Sequence, residues 1–260
     1  MLLTSAGIRN EALKSALADL VGKRFAAARV VFIPTASVAA PGDHGWFIED
    51  LDRLHGLRWR EFDILELNGL PAPVVLDRLR HADVIYAEGG NHYHLANSIA
   101  VNGLAAAMAE ILESKVYVGV SAGSMIFSRQ LSERTGNAFD EQDDLRIIGD
   151  AEARSPIGLF DWYLKPHLNS PSFPNRTPAW YERAAARLEF PVYAIDDGSA
   201  VRVRGDETDV VSDGEWMLLN APAGAGTPPS GAQRHLRRGQ PGRALMLQAA
   251  RLTSYRPFAR

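Results

Sequence analysis

Ser121 lies in a segment whose residue types and spacing can make a serine reactive. Residues 119–123 read Gly-Val-Ser-Ala-Gly, after a β-branched and aromatic run that predicts a strand (115–118) and before residues that predict a helix (124–128). A G-x-S-x-G sequence between a strand and a helix is typical of a nucleophile elbow, a tight turn that exposes the serine hydroxyl. The amide of Ala122 would face the oxyanion that forms there. The alternative interpretation is an ordinary tight turn.

A serine nucleophile needs a base, and His167 is the best candidate among the seven histidines. It follows residues 162–166, an apolar segment that predicts a strand and ends at a proline. A histidine just past the end of a strand can reach a nucleophile at the same edge of a sheet and accept its proton. We therefore predict that His167 is the base.

The histidine in turn needs a carboxylate that fixes its tautomer and stabilises the imidazolium. Asp196 and Asp197 follow a predicted strand at 191–195, although Asp-Asp-Gly is also a common turn sequence. The competing carboxylates are Asp140, Glu141, Asp143, Asp144 and Asp161. The residues alone leave this choice open.

The segment Glu88-Gly89-Gly90-Asn91 follows another predicted strand and offers a second oxyanion donor, because paired glycines let backbone amides approach a substrate. It has neither the G-x-G-x-x-G pattern nor the Lys-Ser/Thr pair of a phosphate-binding loop, so we expect no cofactor. His92 and His94 have no third ligand at a recognisable spacing, so we expect no metal.

Alternating strand and helix patterns must position these residues. Predicted strands cover 29–35, 62–67 and 83–87, and predicted helices cover 47–57, 73–80 and 94–113, the last interrupted near Asn102-Gly103. This alternation predicts an α/β fold with a doubly wound, mostly parallel sheet and helices on both faces. The site is expected beyond the carboxyl ends of the strands.

The second half of the chain has a less regular pattern. The acidic stretch 140–144 predicts a surface excursion, and the strand at 191–195 is expected to continue at 201–203. Residues 209–211 and 216–219 predict an antiparallel hairpin at the edge of the sheet. Residues 222–242 are rich in Gly, Pro and Arg, which predicts a loop.

Composition narrows the function classes. The 260 residues carry a net charge of -3 with a pI near 6.2, which predicts neither a nucleic-acid nor a membrane partner. The absence of cysteine excludes disulfides, thiolate metal sites and a cysteine nucleophile. The short apolar start predicts a first strand rather than a signal peptide, so we expect a cytoplasmic protein.

Taken together, these motifs resemble the peptidase E family of serine dipeptidases, which includes cyanophycinase-like relatives. The matching segments are 87–91, 119–124, 166–167 and 195–200, in that order. The resemblance covers roughly residues 1–220 as one catalytic domain, and we expect residues 221–260 to be an extension packed on it. It implies a class I glutamine amidotransferase-like fold in which serine replaces the usual cysteine nucleophile.

The resemblance also implies roles for individual residues. Ser121 would be the nucleophile and His167 the base, and Gly90 and Ala122 would supply the oxyanion amides. Cyanophycinase-like relatives place the acid at a position that favours Asp197. Peptidase E itself places it after the nucleophile helix, where this chain has the acidic stretch around Asp140.

Substrate contacts are expected from Asn91, Arg176 and Trp180. Aspartate-specific members carry an arginine shortly after the histidine, and in this chain that position falls near Trp180. We therefore expect a preference that is not strictly for an N-terminal aspartate. Arg176 or Lys165 would instead hold the terminal carboxylate of a peptide, which favours exopeptidase cleavage.

The predicted function is that of a serine exopeptidase that hydrolyses short peptides through an acyl-enzyme. Three alternatives stay open: an α/β-hydrolase-type esterase, a cyanophycinase-like isopeptidase, and a non-catalytic binding module on the same fold. The expected partner is a short peptide, and a homodimer is left open.

Overall fold

The computed structural model describes residues 1–221. Its strands are β1 (Leu2–Thr4), β2 (Arg29–Ile33), β3 (Glu61–Ile64), β4 (Val84–Ala87), β5 (Val116–Val120), β6 (Tyr163–Pro166), β7 (Val192–Ile195), β8 (Ser199–Arg204), β9 (Glu207–Ser212) and β10 (Trp216–Leu219). Its helices are α1 (Glu11–Val21), α2 (Thr35–Val38), α3 (Gly45–His55), α4 (Ala72–His81), α5 (His92–Val101), α6 (Ala105–Leu112), α7 (Ala122–Met125), α8 (Glu133–Ala138), α9 (Gln142–Leu145) and α10 (Pro178–Ala185).

Two sheets carry these strands. The larger has the order β3-β2-β4-β5-β1-β8-β9, in which β3 to β1 are parallel and β8 and β9 are antiparallel to their neighbours. The smaller has the order β10-β7-β6, with β6 and β7 parallel. The predicted doubly wound, mostly parallel α/β sheet is confirmed.

Apolar residues of the larger sheet alternate between two hydrophobic clusters. In β2, Val30 and Phe32 pack into a cluster with Leu13 of α1 and Leu54 of α3, whereas Val31 packs into the cluster on the other face. The same alternation places residues of α4, α5 and α6 against that second face. Helices therefore cover both faces, and the open edges at the ends of the strands are left for a site.

The break predicted near Asn102-Gly103 is confirmed, because α5 ends at Val101 and α6 begins at Ala105. Among residues 1–221, no single helix is long and apolar enough to cross a membrane. The pair α5 and α6 meets the length and composition criteria together, with a bend of 105° between them.

Two strand predictions are wrong in their partners. Residues 201–203 do not continue β7, because they belong to β8, which pairs with β1 in the larger sheet. The strands at 209–211 and 216–219 form no hairpin with each other, since β9 pairs with β8 and β10 pairs with β7. The antiparallel hairpin at the sheet edge is instead β8–β9.

The surface prediction for the acidic stretch is confirmed for the exposed Asp140, Gln142 and Asp143, and it is wrong for Glu141. Residues 142–145 form α9, and Glu141 is buried against Lys165 rather than exposed on a surface excursion. The predicted extension 221–260 lies, apart from residue 221, outside the described residues, and so does the predicted loop at 222–242.

Candidate active site

The predicted catalytic residues follow the carboxyl ends of strands in both sheets, and hydrogen bonds join their side chains. Ser121 follows β5, His167 follows β6 and Asp197 lies two residues after β7. Ser5, which the sequence analysis did not single out, follows β1 at the same edge. This is the crevice beyond the carboxyl ends of the strands, where open α/β sheets bind their ligands.

The backbone at Ser121 is strained as an elbow requires. Its φ of 45° and ψ of -104° fall outside the regions that non-glycine residues usually occupy. The turn is tight because Gly119 and Gly123 have no side chain: a Cβ at Gly123 would collide with the carbonyl oxygen of Ala87. The helix α7 begins directly after the serine, so the hydroxyl stands at its N-terminus.

A chain of hydrogen bonds joins the three side chains. His167 Nε2 lies 2.9 Å from the Oγ of Ser121, and His167 Nδ1 lies 2.7 Å from the Oδ1 of Asp197. With the Nδ1 proton directed at the carboxylate, Nε2 is left as a hydrogen-bond acceptor for the Ser121 hydroxyl. The structure thus brings together the serine, histidine and acid that the sequence analysis proposed.

Two further hydroxyls hold Asp197. Ser5 donates to Oδ1 at 2.8 Å, and Ser170 donates to Oδ2 at 2.6 Å. Ser5 also accepts the backbone N–H of His167 at 2.8 Å, which ties down a histidine whose φ is 73°. No sequence signal marked Ser5, because a serine after a strand is common and its partners are more than 160 residues away.

These surroundings set the charges of the pair. Burial acts to raise the pKa of Asp197, but hydrogen bonds from His167, Ser170 and Ser5 outweigh it and hold that pKa below its usual range. Burial lowers the pKa of His167 below 6.5, and the positive charge of Arg176 adds to this, although Asp197 acts in the opposite direction. At neutral pH the pair is therefore a carboxylate beside a neutral imidazole.

The glycine loop provides amides close to the serine. Gly90 has a φ of 129°, and a Cβ there would collide with the carbonyl group of Ala36, so only glycine fits. Ser37 fixes the loop by donating to the Gly89 carbonyl at 2.7 Å. Within residues 1–221, the N–H groups of Gly90 and Ala122 have no hydrogen-bond acceptor, which leaves both able to bind an oxyanion.

The competing carboxylates have other partners. Asp196 accepts hydrogen bonds from the backbone N–H groups of Gly198 and Glu215, so it holds the turn that presents Asp197. Asp140 accepts the indole N–H of Trp180 at 3.2 Å, and Asp161 pairs with an exposed arginine. None of these carboxylates contacts His167 in the described part of the chain.

Glu141 belongs to a buried cluster around His92, Lys165 and Asp144. Its carboxylate pairs with the Lys165 ammonium and lies 3.5 Å from the Nε2 of His92, which has no hydrogen-bond partner among residues 1–221. Burial lowers the pKa of Lys165 to about 8 against the opposing effect of Glu141. The predicted role of Lys165 in holding a substrate carboxylate is wrong, because its ammonium is buried and paired.

The same cluster could hold a metal ion. Ligand atoms of His92, Glu141 and Asp144 all lie within 4.8 Å of one another, which supplies the third ligand that the sequence analysis did not find. The Lys165 ammonium already lies beside the Glu141 carboxylate, and its positive charge disfavours the binding of a second cation there.

Of the predicted substrate contacts, Arg176 is linked to the triad through an aromatic ring. Its guanidinium stacks 4.0 Å from the centre of the Phe173 ring, and that ring stacks on His167 at 4.5 Å. Asn91 caps α5 and donates to the Asp144 backbone, and Trp180 donates to Asp140. Substrate binding by Asn91 and Trp180 stays a prediction.

Comparison with known proteins places this chain in a family. The profile of Peptidase family S51 matches residues 1–211. The chain belongs to this family. Peptidase E of Shewanella amazonensis is 32% identical over 193 residues, which are 71% of this chain and 75% of that protein. A probable alpha-aspartyl dipeptidase of Drosophila melanogaster is 26% identical over 56% of this chain and 60% of its own length.

The fold of this S51 peptidase is shared with solved structures. A putative peptidase E from Listeria monocytogenes matches with a TM-score of 0.66 at 21% identity, over 81% of this chain and 96% of that one. The resemblance to the peptidase E family and the class I glutamine amidotransferase-like fold are confirmed. The protein is a serine-type peptidase, and its family argues against the α/β-hydrolase-type esterase.

Proposed function

We propose that this S51 peptidase is a serine exopeptidase that cleaves short peptides through an acyl-enzyme. The observation that carries the proposal is the hydrogen-bond chain from Ser121 through His167 to Asp197. In this proposal Ser121 is the nucleophile, His167 is the general base, and Asp197 fixes the histidine tautomer.

The chemistry follows from these contacts. His167 Nε2 accepts the Ser121 proton while Oγ attacks the peptide carbonyl carbon, and the resulting oxyanion is bound by the amides of Gly90 and Ala122. The C–N bond breaks, and the imidazolium gives its proton to the leaving amine. Water then loses a proton to His167 and attacks the acyl ester. The ester C–O bond breaks, the imidazolium returns the proton to Ser121 Oγ, and the acid is released, which restores both the serine and the neutral histidine.

The low pKa of Asp197 supports its part in this cycle. A carboxylate that stays ionised stabilises the imidazolium in both steps. Burial keeps His167 neutral in the resting enzyme, so that the base is ready to accept a proton at neutral pH.

Arg176 supports cleavage of very short peptides. The leaving amine must lie beside His167, and Phe173 links this ring to the Arg176 guanidinium by stacking on both. Within residues 1–221 the guanidinium donates to the Pro166 carbonyl oxygen at 3.4 Å and pairs with no carboxylate, so it can bind the terminal carboxylate of the leaving residue. This geometry favours a dipeptidase whose first residue need not be aspartate.

A fluorophosphonate probe and a peptide panel test the proposal. The probe should label the wild-type protein at Ser121 and leave Ser121→Ala unlabelled, and the variant should lose a factor of about 10⁴ or more in kcat. Dipeptides and tripeptides with Asp, Ala, Leu or Gly first should be cleaved, with dipeptides preferred. A β-aspartyl isopeptide serves as the test of the cyanophycinase-like alternative.

Each other outcome has a distinct meaning. Turnover by a folded Ser121→Ala protein would exclude the serine mechanism, and an unlabelled wild type would favour a non-catalytic binding module. Cleavage confined to Asp-Xaa peptides would correct the specificity and leave the mechanism in place. The cytoplasmic location and a homodimer stay predictions.

A further inference from the structure

Trp46, at the start of α3, lies beside the nucleophile. A Cβ placed on Gly89 would be 3.6 Å from Cζ3 of Trp46 and 3.4 Å from the Cβ of Ser121. The edge of the indole and the reactive serine therefore flank the same point of the glycine loop. Trp46 is 41% exposed, so its indole presents apolar surface to the solvent beside Ser121.

The indole is held in place rather than loosely attached. The His44 ring stacks on it at 5.9 Å, and the Phe47 ring packs edge-on at 6.1 Å. The ring of His44 is itself within 3.0 Å of the carbonyl oxygen of Ser37, the residue that fixes the Gly89 carbonyl. Trp46 is thus braced against the glycine loop, whose Gly90 amide is the proposed oxyanion donor.

The geometry of the tetrahedral intermediate indicates which part of a substrate would contact Trp46. The carbon of this intermediate carries the Oγ of Ser121, the oxyanion, which the loop amides bind, and the leaving amine, which must meet His167. The remaining substituent is the acyl residue with its side chain. Phe173 and Arg176 flank His167, whereas Trp46 flanks the glycine loop, so Trp46 is the aromatic surface available to the acyl residue.

We propose that Trp46 forms the subsite for the side chain of the acyl residue, and that it selects apolar and aromatic side chains there. This inference rests on the proposed serine mechanism. A leucine or phenylalanine side chain removes its own surface and that of the indole from water, whereas glycine has no side chain to bury. A pocket contact of this size discriminates by about tenfold or more.

Matched dipeptides measure the preference. The substrates are Gly-Ala, Ala-Ala, Leu-Ala and Phe-Ala, so that the leaving residue is constant. The wild type should cleave Phe-Ala with a kcat/KM about tenfold or more above that of Gly-Ala. Trp46→Ala should reduce this ratio to within about threefold of one, and Trp46→Phe should keep an intermediate ratio. Ile48→Ala, which removes a 63% exposed side chain from the same helix, should leave the ratio unchanged.

A second measurement separates this inference from the proposed function. Two peptidyl fluorophosphonates that differ only in a benzyl group or a hydrogen at the acyl position report acylation of Ser121 without turnover. Faster labelling by the benzyl probe in the wild type, lost in Trp46→Ala, supports the subsite. Equal labelling by both probes, or an equal loss for both on mutation, overturns the subsite alone. If neither probe labels Ser121, the proposed function fails and the subsite fails with it.

Discussion

Two of the histidine–carboxylate pairs within residues 1–221 have opposite surroundings. His167 and Asp197 lie at the open edge of the sheets, with side chains that are 12% and 22% exposed, and the second ring nitrogen meets a serine hydroxyl. His92 and Glu141 are almost completely buried, and Lys165 neutralises the carboxylate. In the proposed mechanism the first pair moves a proton, whereas the second is a closed ionic cluster.

The comparison shows that residue type alone does not identify a catalytic pair. Hydroxyl groups surround Asp197, so its negative charge is retained and directed at the imidazole. Glu141 faces an ammonium group, so most of its charge is already compensated. The two pairs therefore differ in the group that contacts the carboxylate besides the histidine. Hydroxyl groups leave the charge of Asp197 available to a protonated imidazole, whereas the Lys165 ammonium compensates the charge of Glu141.

Removing each histidine in turn should give the largest contrast. His167→Ala should lower kcat by a factor of about 10⁴, because Ser121 then has no base. His92→Ala should change kcat by less than about threefold while lowering the melting temperature, since it leaves a cavity in the core. Dipeptide kinetics and thermal unfolding of both variants measure this. Equal loss of kcat in both would contradict the separation of the two pairs.

Neutralising the proposed acid should have the next largest effect. Asp197→Asn keeps the shape but changes the histidine tautomer, so kcat should fall on the order of 10³–10⁴. Asp140→Asn is the matched control, because Asp140 was a competing candidate and accepts only the Trp180 indole among described residues. It should cost less than about threefold. A larger loss from Asp140→Asn than from Asp197→Asn would reverse the assignment.

Breaking the buried pair should change stability rather than chemistry. Glu141→Gln leaves the Lys165 ammonium without an anionic partner in the core, which costs about 3–5 kcal/mol in the free energy of unfolding. Asp143→Asn, in the exposed pair with Arg146, should leave that free energy almost unchanged. Denaturant unfolding gives both values, and similar results for the two variants would refute the argument.

The smallest expected effect is a shift in the midpoint of the pH dependence of Ser121 labelling. The rate of Ser121 labelling should fall as the pH drops through the pKa of His167, because the protonated ring cannot accept a proton. Burial lowers that pKa, so the midpoint should lie below 6.5. Arg176→Gln removes a positive charge that lowers the same pKa and should move the midpoint upward by less than one unit. A wild-type midpoint above 6.5 would show that Asp197 outweighs burial.

Local patterns were enough to predict the central sheet and to select Ser121 and His167, whose side chains the fold brings within hydrogen-bond distance. The strand–turn–helix order around Ser121 is a local property, and His167 follows a strand that the apolar run revealed. Pairings over long distances were not accessible in the same way. Strand alternation at 209–211 and 216–219 shows that strands exist but not which neighbours they take, so the hairpin was assigned to the wrong pair.

The choice between Asp196 and Asp197 could not be made from the sequence for the same reason, because it depends on contacts between distant residues. Adjacent residues in a turn point in different directions, and only the fold shows that Asp196 binds the turn while Asp197 binds His167. The pairing of Glu141 with Lys165 joins residues 24 positions apart, with no repeat to suggest it. The positions of Ser5 and Trp46 were not predicted, because the residues they lie beside, Asp197 and Ser121, are far along the chain.

The central place of β1 has a consequence for the order of events in folding. Leu3 pairs with Gly119 on one side and with Val201 on the other, so the first strand of the chain cannot complete its pairing until about 200 residues are present. Loops of this length close slowly, because their entropy is lost before the contacts form. Ser5 reaches the His167–Asp197 pair only through this strand. In a refolding time course, we therefore expect hydrolysis to return in the final phase, after helix formation and core burial are largely complete.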